Sequence, residues 1–180
     1  MTTAALQAGA DVQAAGVPLT EAQAGLWYAQ RLAPDNPAFN TAHALWIEGA
    51  LDVAAFASAA DRVAREARAL GLRMRETADG PVQWVDAAHL PQLEIVDLGG
   101  EADPDAAARA AMRRDRHAPV DPARDRLALQ RLYVLGSDRH VWYLRVHHLA
   151  TDGYGMALLT ERVCALYADA GATPAFAPLD

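Results

Sequence analysis

The stretch "LRVHHLATDGYGMALL", Leu144 to Leu159, joins an apolar run to a helical pattern through two adjacent histidines and an Asp-Gly pair. The apolar run predicts a strand over Val141 to His148, and the spacing of apolar residues after Gly153 predicts a helix. Because side chains alternate between the two faces of a strand, His147 and His148 point in opposite directions. A regular strand therefore does not let both bind one metal ion. No cysteine or third histidine is spaced to complete a zinc shell, so we predict no metal site.

Of the two histidines, His148 is the better candidate for chemistry. It shares its predicted face with the larger apolar residues and lies at the strand end, where reactive groups are commonly displayed. An imidazole titrates near neutral pH and can act as a general base. Asp152, four residues on, either orients His148 or belongs to a structural ion pair, and the spacing alone leaves both open. The alternative without chemistry is two core histidines before an ordinary Asp-Gly turn.

Helices and strands alternate irregularly around this stretch, with hairpins among them. Helices are predicted after the candidate N-caps Thr20, Asp52 and Asp103, and a last one after Gly153. Strands are predicted at Ala42 to Glu48, in a hairpin around Asp79-Gly80, at Leu93 to Leu98, and in two runs joined by Gly136 to Asp138. This order predicts an α/β sandwich with a mixed β-sheet flanked by helices.

The length of 180 residues suits one domain with a substantial core. We predict a flexible leader over residues 1–16, a folded lobe over 17–172, and a Pro/Ala-rich linker over 173–180. The leader lacks the basic segment and the continuous apolar run of a signal peptide. No apolar run approaches the ~20 residues of a spanning helix, so we predict a cytoplasmic protein without a membrane segment.

Charge and cysteine content exclude several classes of function. The net charge is −7, and all 16 basic residues are arginine, so clustered positive charge for a general nucleic-acid binder is lacking. The local cluster "RRDRH", Arg113 to His117, is interrupted by Asp115 and is interpreted as a solvated helix face. The single cysteine, Cys164, excludes an internal disulfide. Its helical surroundings predict that it is buried as a small apolar residue.

Several stretches together resemble the condensation domains of nonribosomal peptide synthetases, which belong to the chloramphenicol acetyltransferase-like superfamily. His147 to Gly153 matches their HHxxxDG signature, and "LTEAQAGLWYAQRLAPDNPAFNTA", Leu19 to Ala42, resembles their opening motif. "RALGLRMRE", Arg68 to Glu76, stands in place of RHExLRTxF and keeps Arg73, although other motif positions differ. The variant "LRMR" followed by "GPVQWVD" is most similar to the first condensation domains of catecholate-siderophore synthetases of the enterobactin and bacillibactin type.

The resemblance implies a role for each residue of the signature. In such domains the second histidine, here His148, lies in a tunnel between two lobes. It assists attack of an acceptor amine on a donor thioester by deprotonation, positioning or stabilisation of the tetrahedral species. The aspartate, Asp152, is expected to form a structural ion pair with Arg73. Gly153 is expected to allow a tight turn and a close approach to the substrate arm, and His147 to pack on the opposite face.

The resemblance also implies partners and limits. It covers residues 17–179, which correspond to the N-terminal lobe alone, so we expect the isolated chain to be inactive without a C-terminal lobe. No cofactor is expected to bind directly. The phosphopantetheine arms of donor and acceptor carrier proteins deliver the substrates. The start at Met1 suggests that the domain opens its polypeptide and that the donor, an aryl acid, arrives on a separate protein.

Three alternatives accompany the condensation reading. An epimerisation domain shares the double-histidine motif, although the opening motif and "DGYGMALL" favour condensation. An acyltransferase that uses acyl-CoA usually needs only one histidine before xxxDG. A catalytically silent docking or scaffold module would keep the same fold.

Overall fold

The computed structural model describes residues 16–172 and residue 176. The predicted leader and linker therefore lie outside the described residues, apart from Gly16 and Phe176. The helices are α1 (Glu21–Leu32), α2 (Val53–Glu66), α3 (Pro104–Arg116) and α4 (Gly153–Ala168). The strands are β1 (Val17–Pro18), β2 (Asn40–Glu48), β3 (Leu72–Thr77), β4 (Gly80–Val85), β5 (Leu93–Asp97), β6 (Ala128–Gly136) and β7 (Arg139–His147). Short 3₁₀ turns occupy Pro37–Phe39, Arg68–Gly71 and Ala87–His89.

The helices begin at the N-caps that the sequence predicts. The side chain of Thr20 accepts from the N–H of Gln23, whose side chain accepts in return from the Thr20 N–H, so α1 starts with a capping box. The carboxylates of Asp52 and Asp103 accept from backbone N–H groups in the first turns of α2 and α3. Each such cap stabilises its helix by about 1 kcal/mol.

The described residues form two β-sheets. The larger one has four strands in the order β2-β7-β6-β5; β5 runs parallel to β6, and the other neighbours are antiparallel. A second, three-stranded antiparallel sheet has the order β1-β4-β3. The predicted mixed α/β fold is confirmed. Because β7 is an inner strand, the double histidine at its end is held from both sides.

The faces of β7 carry different parts of the core. Trp142, Leu144 and Val146 pack with α2 and α4 on one side, whereas Val141 and Tyr143 pack with α3 on the other. A third cluster lies where α1 meets the smaller sheet and the turn after β7. Its buried members are Trp27, Met74, Val120, Leu127 and Leu149. The alternation predicted from the sequence is therefore correct along β7.

A buried ion pair joins α2 to α4. Arg162 Nε lies 2.8 Å from Glu66 Oε2, and the side chain of Arg162 is only 4% exposed. The hydrogen bond from Arg162 is the main reason why the pKa of the Glu66 carboxyl is lowered, with Arg62 adding to it. The two helices on this face of the sheet are thus held by charge as well as by apolar contact.

Two expectations about α3 and α4 need correction. Cys164 is exposed rather than buried, because Val163 and Leu166 occupy the inner face of α4 and Cys164 lies beside that face. In the basic cluster the arginines are exposed as expected, but Asp115 turns inward toward Arg145. None of the helices in the described part of the chain combines the length and apolar character needed to cross a membrane.

Candidate active site

The backbone at the end of β7 is fixed by three hydrogen bonds. His147 N donates to Leu127 O at 2.7 Å, His148 N donates to Phe39 O at 2.9 Å, and Ala150 N donates to His147 O at 2.9 Å. The strand therefore ends between two neighbouring segments and turns directly toward α4. This arrangement sets the backbone position of His148.

His147 is a buried, hydrogen-bonded scaffold residue. The residue is 1% exposed, its Nε2 lies 3.3 Å from Gln30 Oε1, and its Nδ1 accepts from the N–H of Leu149 at 3.2 Å. Burial lowers the pKa of His147 to about 4, and the charges of Arg145 and His148 act in the same direction. His147 is accordingly neutral at physiological pH and lies on the interior side, as the alternation predicts.

His148 has a different environment. Its side chain is half-buried, and its imidazole forms no hydrogen bond to any other residue within 16–172. The position of the ring therefore follows from the backbone on either side of it. Both ring nitrogens remain available to a substrate, which is the property that a proton-transferring or positioning group needs.

Asp152 does not bind Arg73. Asp152 is exposed and caps α4, with Oδ1 accepting from Gly155 N at 2.8 Å. Arg73 instead lies with Nη1 3.7 Å from Asp86 Oδ2 and with its guanidinium over the Trp84 ring. The predicted ion pair is wrong because alternation along β3 buries the neighbouring residue and sends Arg73 to the outer face. The positive end of α4 meanwhile attracts the Asp152 carboxylate.

Gly153 is not required by the turn itself. It is the first residue of α4, its φ is not positive, and a Cβ placed there would meet no atom within 4 Å. The prediction of a tight turn at Gly153 is therefore wrong, whereas a close approach by a substrate arm stays a prediction. The crowded position is Gly155, where a Cβ would overlap the hydroxyl of Thr151.

The residues described contain no group of three histidine, cysteine, aspartate or glutamate side chains suited to hold a metal ion. The segment that carries the signature, His147 to Gly153, contains the imidazole of His148, the N-terminus of α4 and backbone N–H and carbonyl groups. Such groups can transfer protons and stabilise developing negative charge.

A family model for the condensation domain matches residues 13–179 of the sequence. The chain belongs to the condensation domain family. Among curated relatives, a dimodular nonribosomal peptide synthase of Bacillus subtilis (strain 168) is 41% identical over 149 residues, which are 83% of this chain and 6% of that protein. Enterobactin synthase component F of Escherichia coli (strain K12) is 37% identical over 156 residues, which are 84% of this chain and 12% of that protein.

Solved condensation domains share the fold. The starter condensation domain of rhizomide synthetase RzmA superposes with a TM-score of 0.79 at 36% identity, covering 90% of this chain and 40% of that one. The first condensation domain of the calcium-dependent antibiotic synthetase, in complex with a substrate analogue, gives a TM-score of 0.77 at 34% identity over 90% of this chain. The chain thus spans about two fifths of the solved condensation domains that it matches.

Two glutamines of α1 contact the residues on either side of His148. Gln23 Nε2 donates to Leu149 O at 3.1 Å, and Gln30 Oε1 lies against His147. In the sequence, Gln23 and Gln30 lie within the stretch that resembles the opening motif, and neither was predicted to contact the double histidine. The sequence does contain a signal for their joint position, because a spacing of seven residues puts Gln23 and Gln30 on one face of a helix, two turns apart.

A charged cluster supports the interior face of β7. Arg145 Nε lies 2.9 Å from Asp115 Oδ2, and the Tyr143 hydroxyl donates to the same oxygen at 2.8 Å. Burial raises the pKa of Tyr143, so this hydroxyl stays protonated and serves as a donor. The cluster ties β7 to α3 just before the double histidine.

Proposed function

We propose that this chain is the N-terminal lobe of a nonribosomal peptide synthetase condensation domain. The full domain would form an amide between a donor acyl group and an acceptor amine. The observation that carries the proposal is the half-buried imidazole of His148 at the end of an inner strand, without a hydrogen-bond partner in the described lobe. Family membership and the fold shared with solved condensation domains support it.

The chemistry follows from the groups involved. The acceptor amine attacks the thioester carbonyl, a C–N bond forms, the C–S bond breaks, and the thiol leaves with a proton. A neutral amine already carries its lone pair, so His148 acts by holding the amine in line and by accepting the proton of the developing ammonium. Holding reactants in an attack geometry can supply several kcal/mol of the barrier reduction, about 7–11 kcal/mol in the best cases.

The substrates would arrive on carrier proteins. Phosphopantetheine arms present the donor and the acceptor from the two ends of a tunnel, whose opposite wall comes from a C-terminal lobe. His148 stands on one wall only, so the isolated lobe is inactive. The resemblance to catecholate-siderophore synthetases, together with the similarity to enterobactin synthase component F, supports an aryl acyl donor on a separate carrier protein.

The proposal is tested in a two-lobe condensation domain that carries this chain as its N-terminal lobe. Donor and acceptor carrier proteins are loaded, and the amide-linked product is measured by mass spectrometry. We expect product with the wild type, a loss of at least 100-fold in His148→Ala, and none from the 180-residue chain alone. Equal turnover in His148→Ala would contradict the role of His148.

The same assay separates the alternatives. Equal rates with acyl-CoA in place of the donor carrier would indicate a carrier-independent acyltransferase. Solvent deuterium at the α-carbon of the acceptor without amide formation would indicate epimerisation. Absence of any turnover in the folded two-lobe domain would favour a scaffold module. An aryl donor is supported only if it reacts faster than an aminoacyl donor.

A further inference from the structure

Two glutamine side chains of α1 hold the residues on either side of His148. Gln30 contacts the imidazole of His147, and Gln23 donates to the carbonyl of Leu149. Both partners are nearly fully buried. The backbone of His148 therefore lies between two anchor points on one helix.

The orientation of the Gln30 side-chain amide determines which ring nitrogen of His147 carries the hydrogen atom. Gln30 Nε2 donates to the carbonyls of Ala33, Pro34 and Asn36 at 3.0–3.2 Å, so its Oε1 must face His147. An amide oxygen only accepts, and His147 Nε2 is consequently the protonated nitrogen. The Nδ1 atom is then free to accept from Leu149 N–H, as the 3.2 Å distance shows. The hydrogen bonds from Gln30 through His147 to Leu149 therefore form together only when His147 is protonated at Nε2.

Both the oxygen and the nitrogen of the Gln23 side-chain amide form hydrogen bonds. Its Oε1 accepts from Thr20 N at 3.0 Å and from Gln83 Nε2 at 2.7 Å. Its Nε2 donates to Gln83 Oε1 at 2.8 Å and to Leu149 O at 3.1 Å. Gln83 belongs to β4, so one side chain joins a helix cap, the smaller sheet and the turn after His148.

We propose that Gln23 and Gln30 are positioning residues, which hold the turn so that the imidazole of His148 meets the reacting atoms. The inference rests on the proposed function, because it assigns the glutamines a role in the same reaction. Since His148 has no side-chain hydrogen bond in the described lobe, its ring is placed by the backbone that these residues hold. Displacement of a reacting group by about 1 Å can cost on the order of 100-fold in rate.

Gln23→Glu separates positioning from helix capping. The carboxylate still accepts from Thr20 and Gln83 but can no longer donate to Leu149 O or to Gln83 Oε1. In the two-lobe domain we expect kcat to fall at least tenfold with KM unchanged within twofold. Thr20→Ala, which removes the capping hydroxyl and keeps its backbone N–H, is the matched control and should keep kcat within twofold. Equal kcat in Gln23→Glu and the wild type would overturn the proposal for Gln23.

A double-mutant cycle tests whether the glutamines act through His148. Gln23→Glu and Gln30→Met should each lower kcat at least tenfold when His148 is present. In the His148→Ala background they should change the residual kcat less than twofold. An equal fall in both backgrounds would mean a general structural role and would overturn the inference. Undiminished turnover of His148→Ala alone would instead contradict the proposed function.

Nuclear magnetic resonance of the 180-residue chain gives a readout without turnover. We expect the ¹⁵N signals of His147 to show protonation at Nε2. Gln23→Glu should shift the imidazole signals of His148, whereas Thr20→Ala should leave them in place. Protonation of His147 at Nδ1, or unchanged His148 signals in Gln23→Glu, would overturn the positioning role even if no carrier substrate is turned over.

Discussion

Asp152 Oδ1 accepts a hydrogen bond from the backbone nitrogen of Gly155 at 2.8 Å, so the aspartate of the signature caps α4. The arginine expected to pair with it, Arg73, lies near Asp86 on the outer face of the smaller sheet. The lobe therefore uses Asp152 to fix the direction of the helix that follows His148. The size of its contribution to stability should be that of a helix cap.

Asp152→Ala is expected to lower the free energy of unfolding by about 1 kcal/mol, the usual cost of removing an N-cap. Asp152→Asn keeps an acceptor oxygen, so its free energy of unfolding should fall by only about a few tenths of a kcal/mol. Urea denaturation of the three proteins measures these differences. A loss of 3–5 kcal/mol in Asp152→Ala, shared non-additively with Arg73→Ala, would instead indicate the buried ion pair.

The sequence predicted the elements and the split of the double histidine, because caps and strand alternation are local properties. It did not predict the partner of Arg73, which depends on how β3 and β4 align within their hairpin. The family resemblance implied Asp152, whereas Asp86 lies directly after β4, the strand that pairs with β3. The two glutamines were missed for a different reason, because their targets are more than a hundred residues away in sequence.

The two histidines should respond to substitution in opposite ways. His147→Ala removes partners from Gln30 and from the Leu149 N–H in a buried site, so we expect a loss of about 2–4 kcal/mol. His148→Ala removes a half-buried ring without hydrogen bonds in the described residues and should cost less than about 1 kcal/mol while lowering turnover at least 100-fold. Urea denaturation with the amide-formation assay checks both. Equal losses of stability would contradict the division into scaffold and site residue.

The neutral state of His147 predicts a dependence of stability on pH. Its pKa is about 4 in the folded chain and near 6.5 when unfolded, so the unfolded state takes up the proton first as pH falls. The contribution of neutral His147 to the free energy of unfolding is complete above pH ~6.5. It declines by on the order of 3 kcal/mol as the pH falls to 4. Urea denaturation across this range should show the gap between wild type and His147→Gln narrowing as pH falls. Parallel curves would contradict the prediction.

The ion pair behind the site should also matter for stability. Asp115→Ala leaves the side chain of Arg145, which is only 8% exposed, without its carboxylate, and we expect a loss of about 3–5 kcal/mol. Arg124→Ala is the control, because the side chain of Arg124 is 86% exposed and its pair with Asp121 should be worth less than about 1 kcal/mol. Thermal and urea denaturation measure both variants. Similar losses in the two would show that Asp115 is not a buried partner.

The two glycines at the start of α4 separate a local requirement from one imposed by the substrate. Gly153→Ala adds a methyl group in open space at the first helical residue, so the chain should be as stable as the wild type or slightly more stable. Gly155→Ala drives a methyl group into the Thr151 hydroxyl and should be destabilised, and Thr151→Ala in the same chain should relieve the overlap. Urea denaturation measures the free energy of unfolding of each variant and so ranks them by stability. If Gly153→Ala then fails in amide formation while folding normally, the glycine serves the approach of the substrate arm; full turnover would show that the arm does not pass close to this Cα.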